Sequence, residues 1–121
     1  MRELYITRER ALACFALTYH CVIGRTIEEH LRWAETRDRA ELMLDRGPGT
    51  LRNGETACLP IPEEACTLFV IAYREQGALT TEEVMLPAGT EDLRYIVRTE
   101  FDGDRRLTLS LTAAENDAAG T

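Results

Sequence analysis

The alternation between Leu93 and Leu111 constrains this chain more than any other feature. Leu93, Tyr95, Val97, Thr99 and Phe101 alternate with Arg94, Ile96, Arg98 and Glu100. After Asp102-Gly103, Leu107, Leu109 and Leu111 alternate with Thr108, Ser110 and Thr112. A period of two is that of a strand with one face in a core. Asp-Gly between two such runs is a tight hairpin turn. A lone hairpin cannot bury its apolar face, so further strands must cover it.

Those strands are sought upstream. CTLFVIAY, at Cys66–Tyr73, reads as a strong strand, and residues 80–86 (TTEEVML) read as a weaker one. Asn53-Gly54, within LRNGET, is a second hairpin signal. Pro60 and Pro62 limit pairing around them, because neither donates to a ladder. LYIT, at residues 4–7, reads as a short leading strand.

Residues 11–24, ALACFALTYHCVIG, carry no charge. A secretion signal needs a basic start and a continuous apolar segment. Here Glu3 and Glu9 stand among the preceding arginines, and Thr18, Tyr19 and His20 interrupt the run. The run is also shorter than the roughly 20 apolar residues that span a bilayer. A cytoplasmic location, reduced cysteines and no membrane association are therefore expected. At period two, Ala11, Ala13, Phe15, Leu17, Tyr19, Cys21 and Ile23 share one apolar face, while Leu12, Cys14, Ala16, Thr18, His20 and Val22 form a mixed one. The pattern predicts a long strand, or two joined at a bend; a buried helix through ALACFAL is the alternative.

Helical signals occupy residues 26–46. Thr26 and Glu29 form a capping box, Ile27, Leu31 and Ala34 lie on one face, and Glu28–Arg32 and Glu35–Arg39 are supporting i,i+4 pairs. Asp38 interrupts the apolar face, so the helix is expected to stop near Thr36, with residues 40–44 forming a second turn or a strand. Gly47-Pro48-Gly49 ends the segment. The chain is thus expected to be mainly β: an antiparallel β-sandwich of about seven strands over residues 1–112 with one helical insertion at about 26–46. Residues 113–121 lack a large apolar residue and are expected to form a disordered tail.

Charge narrows the partners. The chain has 14 basic residues, all arginine, against 21 acids, a net −7. Residues 1–52 hold nine arginines and eight acids, and residues 53–121 hold five and thirteen, so the excess is acidic and downstream. Such a chain repels nucleic acid and anionic lipid. Neither is expected as a partner.

No motif carries catalytic chemistry. Cys14, Cys21, Cys58 and Cys66 lack zinc-knuckle spacing. They pack as small hydrophobes, or join His20 as metal ligands if the fold gathers them. No cysteine has a nucleophile motif, and adjacent strand residues such as His20 and Cys21 point apart. Glu63-Glu64, Glu82-Glu83 and Glu91-Asp92 read as solvated charge at strand ends. Trp33, the single tryptophan, falls off the Ile27–Leu31–Ala34 face, either as an interface anchor beside Arg32 and Arg37 or wrapped over a sheet edge.

Tyr19-x-Cys21-Val22-Ile23-Gly24, followed by Leu51-Arg52-Asn53-Gly54-Glu55-Thr56 and a strong apolar strand, resembles small bacterial β-sandwich domains of the PEGA-like kind over about residues 8–73. The resemblance implies a compact sandwich with no catalytic residue. The chain departs from it at residues 62–66 (PEEAC), where those domains carry Pro-x-Gly-x-His, and in its helical insertion.

The expected protein is a non-enzymatic domain, without cofactor, that binds a protein partner or itself. The alternative is a small-ligand or carbohydrate-binding sandwich using exposed aromatics, Trp33 or Tyr73. The second alternative is a Cys/His metal-binding protein.

Overall fold

The computed structural model describes residues 1–14, 16–101 and 106–114. Among them the chain is mainly β, with nine strands in two sheets and two helices. The order is β1 (Arg2–Arg8), β2 (Tyr19–Ile23), α1 (Ile27–Glu35), α2 (Arg39–Leu44), β3 (Thr50–Leu51), β4 (Thr56–Ile61), β5 (Cys66–Tyr73), β6 (Ala78–Thr80), β7 (Val84–Leu86), β8 (Leu93–Phe101) and β9 (Leu107–Ala113). One sheet, here sheet A, runs β4-β1-β8-β9; the other, sheet B, runs β3-β2-β5-β6, with β7 also on β5.

The C-terminal hairpin forms as the alternation requires. β8 and β9 pair antiparallel, with Val97 opposite Leu111 and Thr99 opposite Leu109. The Asp102-Gly103 turn lies outside the described residues. β9 runs one residue past the expected boundary, to Ala113, and the Ala114 N–H donates to the Arg94 carbonyl at 2.8 Å. The expected tail beyond it also lies outside the described residues.

The strands are not all antiparallel. β1, read as a short leading strand, runs seven residues in the interior of sheet A and pairs in parallel with β8. Parallel neighbours need a long crossover, and all of sheet B and both helices lie between these two strands in the chain. An arginine at each end of β1 is buried. Arg2 is 3% exposed and donates to the carbonyls of Pro62 and Pro87 at 2.9 and 2.5 Å. Arg8, 1% exposed, donates to those of Leu17, Cys14 and Leu51 at 2.5, 2.8 and 3.0 Å.

That clamp explains why the expected strand over residues 11–23 begins only at Tyr19. Described residues before it form turns: the Leu17 N–H bonds to the Cys14 carbonyl, and Cys14 takes the left-handed conformation at φ 59°. Carbonyls that would pair in a ladder face the Arg8 guanidinium instead. Two further expectations change. Gly54, at φ 81°, makes a tight turn closed by Glu55 N–H to Arg52 O, but it leads from β3 in sheet B to β4 in sheet A and not into a hairpin. Residues 80–86 break into β6 and β7 because Thr81 turns inward: its Oγ1 accepts the Val70 N–H at 3.0 Å, in place of a ladder carbonyl. Pro60 is accommodated because β4 is an edge strand.

β5 is buried on both faces, which is why it reads as a continuous apolar run. Leu68, Val70 and Ala72 join a core supplied by both sheets, with Leu4, Ile6, Tyr19, Val97, Leu109 and Leu111 among its members. Phe69, Ile71 and Tyr73 face the other way, into a second cluster with Val22 and Leu42 beneath α1 and α2. The insertion is two helices: α1 ends at Thr36 as expected, and Asp38 is the N-cap of α2. The capping box is formed, Glu29 N–H to Thr26 Oγ1 at 3.1 Å and Thr26 N–H to Glu29 Oε1 at 3.1 Å. Thr26→Ala is expected to destabilise the protein by about 1 kcal/mol in urea denaturation. No helix among the described residues is long and apolar enough to cross a membrane.

Candidate functional site

The outward face of sheet B gathers both histidines and the single tryptophan with Phe69 and Tyr73. Period two on β2 turns His20 and Val22 outward while Tyr19 enters the core that both sheets supply. On β5 it turns Phe69, Ile71 and Tyr73 outward. α1 lays Ile27, His30, Trp33 and Ala34 over them, and α2 adds Leu42 and Met43. The buried face of α1 is therefore Ile27–His30–Trp33/Ala34, and Leu31, expected on it, is 37% exposed.

His30 is the centre of this layer. Its ring lies 5.1 Å from Trp33, 5.6 Å from Phe69 and 6.1 Å from Tyr73, centroid to centroid. Its Nε2 shares a short hydrogen bond with the Tyr73 hydroxyl. Sequence reasoning left His30 unplaced; its i,i+3 spacing to Ile27 and Trp33 was the available signal. His20 approaches Tyr73 from β2 at 5.1 Å, and its Nδ1 is 3.8 Å from Asp45 Oδ2.

Burial disfavours the charged forms of the titratable rings in this layer. Burial lowers the His20 pKa, with Asp45 opposing and Arg46 reinforcing the shift. Burial also lowers that of His30, helped by Arg25 and His20. Burial pushes the Tyr73 phenol up to about 12.

The two predicted binding aromatics, Trp33 and Tyr73, both touch His30 but differ in exposure. Tyr73 is 3% exposed, so it is not the open aromatic expected; its ring is floor for α1. Trp33 is half-buried. One side packs on the cluster, and the Arg25 and Arg37 guanidinium carbons lie 5.3 and 4.9 Å from its ring centroid. Beside it a hollow of about 440 Å³ is lined by Trp33, Arg37, Leu42, Leu44 and Asp45. On the far side of α1 a cleft of about 320 Å³ is lined by Leu31, Ala34, Arg39, Tyr73 and Ala78. Arg39 is tied into that wall by donating to the Gly77 carbonyl at 2.7 Å.

No family model matches the chain, and comparison with curated proteins and with solved structures finds no match. What this face does must follow from its own geometry.

Elsewhere the candidate chemistry is dispersed. Cys14, Cys21, Cys58 and Cys66 are free, and among the described residues no three His, Cys, Asp or Glu side chains are placed to hold a metal ion. Burial pushes the Cys21 thiol up to about 12. Exposed Cys58 donates to Glu3 Oε2 at 3.2 Å, which raises its pKa, the opposite of what a nucleophile needs. Members of the acidic pairs serve the backbone: Glu83 accepts the Ile27 N–H at 2.5 Å and Asp92 that of Glu3 at 2.9 Å.

Proposed function

We propose that the chain is a non-catalytic, cytoplasmic β-sandwich domain that acts through protein association, and that its first partner is a second copy of itself, engaged through the helical layer on sheet B. The sandwich is supported by the core shared between the sheets. The association rests on Trp33, a half-buried ring with Arg25 and Arg37 near it and with Leu31 and Leu44 exposed on the same layer, at 37% and 70%. A rigid aromatic beside arginine is the composition of an interface anchor. Charge favours a self-complementary contact. Residues 25–46 hold five arginines and six acids, a net −1, so the other residues carry −6 of the total −7. Two copies repel one another least through this layer, and a patch with both signs can pair with itself across a two-fold axis. Four free cysteines accord with a reducing compartment. The PEGA-like resemblance accords with a non-catalytic domain; the residues that carry it include Tyr19 of β2 and Leu51 of β3, which pair.

Sedimentation velocity over a micromolar concentration series tests this. The wild type is expected to show a weight-average mass that rises with concentration, and Leu44→Glu to sediment as a monomer throughout. A wild type that stays monomeric across the series overturns self-association. It would promote a second reading, small-ligand binding in the cleft of about 320 Å³ beside Tyr73, which falls within the usual size of such sites.

A further inference from the structure

Both histidines of the chain lie beneath the helical layer. His20, on β2, is 9% exposed and His30, on α1, is 6% exposed. Each leaves one ring nitrogen without a hydrogen-bond partner, Nε2 of His20 and Nδ1 of His30. The groups around them are unevenly signed. His30 faces Tyr73 and Phe69 from β5, Trp33 from its own helix, Arg25 from the segment before α1, and His20. No carboxylate is among these. His20 faces Tyr73 from β5 and, from the segment after α2, Asp45 at 3.8 Å and Arg46. Arg39 of α2 acts on Tyr73 as well. A proton on His30 would thus sit among cations and apolar rings. A proton on His20 would have one counter-ion, itself half-exposed and opposed by Arg46.

We propose that His20 and His30 make α1 and α2 a proton-released cap: mild acid detaches the two helices from sheet B and uncovers Phe69, Ile71 and Tyr73, while the core between the sheets stays folded. In the open state both imidazoles meet water and titrate near their ordinary pKa, about 6.5. In the closed state burial lowers both, so the open state binds protons that the closed state refuses. The closed cap has its full advantage above about pH 6.5 and loses it as the pH falls, and the opening constant rises by up to about tenfold per pH unit for each histidine. Other ties of the cap include Thr67 Oγ1 to the Arg25 carbonyl at 3.0 Å, Arg39 to the Gly77 carbonyl at 2.7 Å and the Ile27 N–H to Glu83 Oε1 at 2.5 Å. Opening occurs within one chain but through the layer that the proposed self-contact would cover, so exchange and fluorescence are read at a protein concentration at which sedimentation shows monomer.

Hydrogen exchange of the full chain, corrected for its intrinsic pH dependence, tests it. Between pH 7.5 and 5.0 the opening constant of peptides covering residues 27–44 is expected to rise at least tenfold, while peptides covering β1 and β8 keep their protection. Fluorescence of Trp33, the single tryptophan, should follow the same curve, and His30→Gln should flatten it. The proposal is overturned if residues 27–44 keep their protection at pH 5.0, if β1 and β8 lose theirs together with the helices, or if His30→Gln opens with the wild-type profile. The wild-type exchange alone decides the matter should the variant not fold.

Discussion

Arg8→Met is expected to lower the unfolding free energy by about 2–4 kcal/mol: the Cys14 carbonyl keeps the Leu17 N–H, but those of Leu17 and Leu51 lose their guanidinium donor at about 1–3 kcal/mol each, partly relieved by water. Methionine keeps the length and apolar stem of the side chain, so the loss reports the donors and not a cavity. The carbonyls of Cys14 and Leu17 belong to the turn segment after β1, and that of Leu51 to β3, so one guanidinium holds together pieces that share no ladder. Its carbon also lies 3.5 Å from the Tyr19 ring centroid. Lysine is expected to recover less than half the loss, because its point charge cannot stack on that ring while donating in a fixed planar fork. Urea denaturation of the wild type and both variants measures this. A loss below about 1 kcal/mol for methionine would mean that the carbonyls find water readily and that the clamp is incidental.

Leu109→Ala is expected to cost about 2–5 kcal/mol, the range for truncating a buried leucine. Leu109 is 5% exposed and lies in the core that both sheets supply, on the same strand face as Leu111. Here the mechanism differs: a cavity and lost contacts, with no polar atom stranded. Denaturation midpoints at constant slope would show this cost. A cost under about 1 kcal/mol would place β9 outside the structural core.

These two residues mark what could and could not be read from the chain. Leu109 was legible because a strand's period is local: the alternation from Leu93 onward needs only its neighbours to declare a face. The capping box at Thr26 and Glu29 was legible for the same reason. Arg8 was not. By composition an arginine at a strand end belongs in water, and its partners lie at Cys14, Leu17 and Leu51, the last far along the chain. Without that clamp the period-two pattern of residues 11–23 gives no ground for stopping a strand at Tyr19. The helical layer was half legible. Its position and Trp33 emerged from the pattern, but Leu31 was assigned the face that His30 takes, because a histidine counts as polar until a partner such as Tyr73 is known. The break at Thr81 was hidden in the same way, since a threonine hydroxyl replacing a ladder carbonyl leaves no mark on periodicity.

The parallel pairing of β1 with β8 bears on how the chain is made. Sheet B draws only on residues between Tyr19 and Leu86, so its strands can meet while the chain is still emerging from the ribosome. Sheet A cannot follow that schedule. β4 can pair with β1 early, but the other edge of β1 waits for Leu93–Val97, its partners in β8. Until those residues are synthesised, Leu4 and Ile6 are held in a two-stranded ribbon with one edge unpaired, the kind of surface that recruits foreign strands. Such long sequence separation also slows the closing step once the chain is free. Of these nine strands, the earliest in the chain is among the last to be enclosed.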